Sequence, residues 1–102
     1  MATPEVIVKK NIRKILNEED VYYAMPIGTG FGNSGVPDFL VCCAGHFLGI
    51  EAKTRGKKPT TLQEENMYQI RRAGGHTLVV NEDNYDELRR TLQWMKKNLS
   101  AE

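Results

Sequence analysis

Three residues combine types and spacing suited to chemistry: Asp38, Glu51 and Lys53. Asp38 follows Pro37 and opens the apolar run Phe39 to Cys43; Glu51 and Lys53 close the next run, His46 to Lys53. If Ala44 and Gly45 form the loop of a hairpin, Cys43 faces His46, Phe39 faces Ile50, and Asp38 faces Glu51. Directly opposed residues share a sheet face with Cβ atoms about 4.5–5.5 Å apart, so two carboxylates converge. Lys53 lies two residues beyond Glu51 on the same face, roughly 6.6 Å further along.

Like charges placed opposite one another destabilise a sheet, and this pair asks for a compensating cation. A divalent metal would supply it: magnesium is commonly held by one or two carboxylates while it keeps several waters. The inference depends on register. An odd-length loop would break the convergence, and Ala44 is not an ideal type I′ turn residue. Chance supplies an acid-x-Lys triplet roughly once per hundred residues at ordinary composition, and Glu51-Ala52-Lys53 is the one example in this chain. A solvated charged face explains such triplets routinely, but it works poorly inside otherwise apolar strands.

Two further polar residues break apolar helix faces. At about 100° per residue, Glu5 falls within the stripe of Val8, Ile12, Ile15 and Leu16 and is expected to point inward. A first-turn carboxylate favoured by the helix dipole is the other reading of Glu5. Gln63 lies on the apolar side of its helix, one and two turns before Met67 and Ile70; the other reading is a partly exposed first-turn residue.

The elements that must position these groups follow from local signals. Thr3 then Pro4 is an N-cap and first helical residue, opening a helix that runs to about Leu16. Val21 to Ile27 reads as a strand, and Gly28, Gly30, Gly32 and Gly35 mark the loop that follows. After the hairpin and a basic connection, Thr61-Leu62-Gln63-Glu64 is a capping-box pattern opening a helix that Gly74-Gly75 ends. His76 to Val80 is a short strand. Asn84 to Leu99 is a last helix, with Tyr85, Leu88, Leu92, Met95 and Leu99 spaced by three and four. A helical crossover makes the third and fourth strands parallel, which gives a mixed α/β sheet of about four strands flanked by helices, in the order α-β-β-β-α-β-α.

Length and charge bound the rest. One hundred and two residues with 14 Lys and Arg against 13 Asp and Glu fit one domain over residues 1–102, and a net charge of +1 excludes a protein that coats nucleic acid by bulk attraction. No apolar run has the length of a signal peptide or membrane span, so no membrane partner is expected. Adjacent Cys42 and Cys43 suit neither a disulfide framework nor a common zinc framework, and a reducing, cytosol-like compartment is expected. His76 has no partner that suggests catalysis. The glycine loop lacks the Lys-Ser/Thr ending of a phosphate-binding P-loop. Trp94 lies off the stripe of the last helix and hints at a subunit contact.

Taken jointly, Gly35-Val36-Pro37-Asp38-Phe39-Leu40, Gly49-Ile50-Glu51-Ala52-Lys53 and Gly56-Lys57-Lys58-Pro59-Thr60-x-x-Gln63, with Gly74-Gly75 closing the helix, resemble the VRR-NUC (virus-type replication-repair nuclease) family. That family belongs to the PD-(D/E)XK nuclease superfamily, and the resemblance spans about residues 35–80. It implies a restriction-endonuclease-like core and a phosphodiesterase in which Asp38 and Glu51 ligate Mg²⁺ or Mn²⁺ with the backbone carbonyl of Ala52. Lys53 would position or activate the attacking water, Glu5 would complete the metal shell, and Gln63 matches a helix glutamine near the site. Ala52 stands where valine is more usual.

From Lys53 to His76 six basic residues face two acids, an excess of four in a chain of net +1. Arg55, Lys57, Lys58 and Arg71 are therefore candidates for contact with a DNA backbone, the other reading being an ordinary solvated face. Such contacts position a duplex without reading its sequence. No base-reading module is recognisable, so cleavage is expected to be structure-selective. The expected function is metal-dependent cleavage of branched DNA, foremost Holliday-junction resolution by a homodimer. A monomeric flap or nicking nuclease and a non-catalytic DNA-binding assembly subunit are the alternatives.

Overall fold

The computed structural model describes residues 2–27 and 35–100. Helix α1 (Pro4–Glu18) begins as its sequence dictates: Thr3 is extended, its hydroxyl accepts from the Val6 amide at 3.3 Å, and Pro4 fills the first helical position. It runs two residues past Leu16. Strand β1 (Tyr22–Ala24) is shorter than the expected Val21 to Ile27. It is an edge strand with β2 as its neighbour, and Pro26 offers no amide with which to extend the ladder. The glycine loop lies, apart from Gly35, outside the described residues.

Strands β2 (Phe39–Cys43) and β3 (His46–Ala52) form the predicted hairpin, with Cys43 paired to His46 and Phe39 to Ile50. Ala44 and Gly45 both take positive φ, 52° and 82°, as a type I′ turn requires. An alanine in that region is strained by roughly 1–2 kcal/mol. Ser100 lies against this turn, its amide donating to the Ala44 carbonyl at 3.0 Å.

Helix α2 (Thr61–Arg72) is capped one residue earlier than Thr61-Leu62-Gln63-Glu64 suggests. Thr60 is the N-cap: its hydroxyl accepts from the Gln63 amide at 3.2 Å, and the Gln63 side-chain oxygen accepts from the Thr60 amide at 2.8 Å. Strand β4 (His76–Val80) returns parallel to β3 and completes a mixed sheet in the order β1-β2-β3-β4. Helix α3 (Tyr85–Lys97) stops short of Leu99, which is exposed.

Two layers of helix sandwich the sheet. On one face, Val8, Ile12, Ile15 and Leu16 of α1 and Leu88, Leu92 and Met95 of α3 bury against Phe39, Val41, Leu48 and Ile50. On the other, Ile70 of α2 packs on Gly49 and Gly75. Strand β3 is thus covered on both sides, and the alternate residues Gly49 and Glu51 lie under α2 rather than in water. Strand alternation also separates the two thiols: Cys42 is exposed and Cys43 buried.

Candidate active site

The site forms where β2 begins and β3 ends. The ladder that pairs Phe39 with Ile50 brings Asp38, one residue before β2, to the end of β3. There the Ala52 amide donates to Asp38 Oδ2 at 2.8 Å. Gly35 makes the approach possible. Its φ is +84°, and a Cβ there would stand 2.6 Å from the Leu62 backbone, so the chain leading into Pro37-Asp38 presses directly on the first turn of α2.

Glu51 is the one buried charged side chain among the described residues, with 1% exposure. Its Oε1 accepts from Gln63 Nε2 at 3.1 Å, whereas its Oε2 is buried without a hydrogen-bond donor. The capping box explains this geometry. Gln63 binds the helix-capping amide through its oxygen and is left with its amide nitrogen to offer, which it extends to Glu51.

The electrostatics are those of two acids held too close. Burial pushes the Glu51 carboxyl up to about 8; the neighbouring Asp38 carboxylate pushes the same way, the nearby Lys53 ammonium opposes them, and Glu5 adds a smaller upward push. These influences favour the protonated form of the Glu51 carboxyl. Lys53 follows β3 directly, its amide donating to the Val80 carbonyl at 3.0 Å, which fixes its backbone to β4.

Glu5 is drawn to this corner, though by a residue that the sequence reading passed over. Lys9 Nζ lies 3.9 Å from Glu5 Oε2 and 3.5 Å from Asp38 Oδ1, an ammonium between two carboxylates. Glu5 is half-exposed rather than turned into the core. Spacing could have revealed half of this arrangement, since Glu5 and Lys9 are one helical turn apart. The link to Asp38 is tertiary. Among the described residues no group of three His, Cys, Asp or Glu side chains could hold a metal ion alone.

The four candidate DNA-contact residues divide. Lys57 and Lys58 are exposed. Arg55 is tied into its own protein: its guanidinium grips Asp83 at 2.6 and 2.8 Å, and its amide donates to Glu82 at 2.7 Å. Arg71 donates to the Thr77 hydroxyl at 2.8 Å. At the other end of the sheet, Trp94 is half-exposed and meets His46 and His76 with ring centroids 5.4 and 5.8 Å apart, so its outward position serves at least a three-ring contact.

No protein-family model and no curated protein matches the chain. Solved structures do. A "VRR_NUC domain" aligns over 97% of this chain and 100% of its own, with a TM-score of 0.69 at 22% identity. The chain has the VRR-NUC domain fold. A "VRR_NUC domain protein" gives the same TM-score at 20% identity, over 98% of this chain and 93% of its own. Helix order and the four-stranded mixed sheet agree with the VRR-NUC expectation drawn from Gly35 to Val80, and the agreement extends through α1, where the motifs had been silent. Among the described residues no helix is long and apolar enough to cross a membrane.

Proposed function

We propose that this chain is a divalent-metal-dependent DNA endonuclease of the PD-(D/E)XK type, acting on branched DNA and foremost on Holliday junctions as a homodimer. The observation that carries the reading is Glu51: a buried carboxylate with one oxygen lacking a donor, set against Asp38 and beside Lys53. Burying such a group without a partner is unfavourable by roughly 1–3 kcal/mol or more, and the fold keeps it at the end of a strand where substrate can reach the neighbouring half-buried Asp38 and Lys53.

The donor set fits a hard cation. Asp38 and Glu51 would hold Mg²⁺ or Mn²⁺ with the Ala52 carbonyl, water filling the remaining positions, as suits ions that keep part of their hydration shell. Such an ion supplies a nucleophile activated near neutral pH and charge stabilisation at phosphorus. The protein's own groups do the rest. Gln63 holds Oε1 of Glu51 and so fixes the direction of the carboxylate. Lys53 places a positive charge beside the carboxylate pair, where negative charge develops on the phosphate. Glu5 and Lys9 border the pair and set its electrostatics from α1.

The test is a cleavage assay on labelled four-way junction, flap and linear duplex with Mg²⁺, Mn²⁺ or EDTA. Paired symmetric nicks in the junction, dependent on metal, are expected, with a dimer by light scattering. A monomer that cuts flaps would replace the junction part of the reading, and binding without cutting under every metal condition would overturn the enzyme.

A further inference from the structure

We propose that the solvent face of α1 is a phosphate-binding surface, on which Lys10, Arg13 and Lys14 hold the backbone of the nucleic acid whose scissile bond lies at the carboxylates. The inference rests on the nuclease reading and assigns it a binding face outside the basic stretch that follows Lys53.

Three observations carry it. The first is placement. Lys9, Lys10, Arg13 and Lys14 recur at helical spacing, and with about 100° per residue they cover one side of α1, away from Val8, Ile12 and Ile15. Lys9 forms the inner margin of that side and touches Asp38, so the surface begins at the site itself. The second is charge balance. The two acids of α1 are already engaged, Glu5 with Lys9 and Glu18 with Arg89, whereas Lys10, Arg13 and Lys14 form no ion pair among the described residues. With Asn17 and Glu18, those three cations line a depression of about 340 Å³. The third is the fate of the alternatives. Of the residues expected to touch DNA, Arg55 has its charge neutralised by Asp83 and Arg71 gives one N–H to the Thr77 hydroxyl, which leaves Lys57 and Lys58 as the exposed cations of that stretch.

Uncompensated cations in a row beside a site for phosphodiesters fit a polyanion, and contacts of this kind orient a duplex without reading bases. Each phosphate neutralised contributes about 0.9 to the slope of log affinity against log salt for B-form DNA. Three contacts therefore predict a slope shallower by about 2–3 when all are removed.

The experiment compares wild type, the triple variant Lys10→Gln/Arg13→Gln/Lys14→Gln, and the control Arg90→Gln/Lys97→Gln on α3. Each is titrated into fluorescent four-way junction in EDTA across a salt series, then assayed for cutting with Mn²⁺, with circular dichroism to confirm folding. The triple variant is expected to bind at least about tenfold more weakly, with the shallower slope, while the control stays near wild type. An unchanged slope and affinity in the triple variant, or no wild-type binding at low salt, overturns the surface. So does polyglutamate that binds wild type as tightly as DNA does. Because the binding arm needs neither metal nor cutting, the two readings fail separately. Wild type that binds through this face and cuts nothing keeps the surface and sinks the nuclease; normal cutting with an unchanged slope does the reverse.

Discussion

Two charged clusters, one where β3 ends and one held by Arg55 in the connection that follows it, have opposite fates. Arg55 and Asp83 stand in water, with every charge matched: Asp83 holds the Arg55 guanidinium above its ordinary range, and Arg55 in turn holds the Asp83 carboxyl below its own. Asp38 and Glu51 stand at the margin of the core with too little positive charge, and Glu51 is pushed the other way, to about 8. Both clusters join distant parts of the chain. One is satisfied and closes a loop; the other is left short of one cation, and that shortage is what makes it a candidate for chemistry.

Removing a charge from the unsatisfied cluster should have the largest effect. Asp38→Ala or Lys53→Ala should lower cleavage by at least about a hundredfold while leaving circular dichroism and junction binding near wild type. Wild-type rates in either variant would erase the difference between the two clusters.

Glu51→Gln reads the same strain as stability. Glu51 titrates at about 8 in the folded protein and near 4.5 ordinarily, so between those values the folded state holds a proton that the unfolded chain has released. The metal-free protein should therefore lose stability as pH rises from about 4.5 through 8, at up to roughly 1.4 kcal/mol per unit. In Glu51→Gln this group's share of the slope disappears. Urea midpoints at pH 5 and pH 8.5 should converge at the acid end and favour the variant at the alkaline end, and parallel pH profiles would show that burial does not perturb Glu51. Adding Mn²⁺ should rescue wild type at pH 8.5 and leave the variant where it was.

Lys9→Met sharpens the comparison from the edge of the site. Its ammonium partly supplies the missing charge, so its removal should weaken the metal-free fold at alkaline pH. Mn²⁺ affinity by calorimetry should tighten by several-fold, as suits a half-exposed pair of about 1 kcal/mol or less. Weaker Mn²⁺ binding would instead make Lys9 part of the binding apparatus. The smallest effect belongs to Arg55→Ala, an exposed pair screened by water and salt, whose melting midpoint should move least of the five variants.

Much of this was legible because it is local. Thr3-Pro4 marks the first helix, Ala44-Gly45 sets a two-residue turn, and once the turn is set the pairing of Phe39 with Ile50 follows by counting. The same counting sets Asp38 opposite Glu51. The capping box shows where local rules stop. Thr60 with Gln63 and Thr61 with Glu64 are both acceptable on paper, and Thr60 is used in the folded chain, where the amide of Gln63 also meets Glu51. Glu5 differs from its expected inward direction for a related reason: a helical angle gives a direction around the axis, whereas the Lys9 ammonium one turn away, itself drawn to Asp38, holds Glu5 at the half-exposed corner.

By itself, then, the sequence determined the order of elements, the hairpin register and the meeting of two carboxylates, since each depends on spacing along a short stretch of chain. Tertiary structure alone decided which charges would be neutralised. Lys9 reaches Asp38, and Arg55 reaches Asp83, across packed elements, and Glu51 loses its water only because α2 settles over β3. Desolvation and long-range pairing are properties of the assembled layers, and they set the carboxylate of an ordinary acid-x-Lys triplet in a buried place beside a second acid.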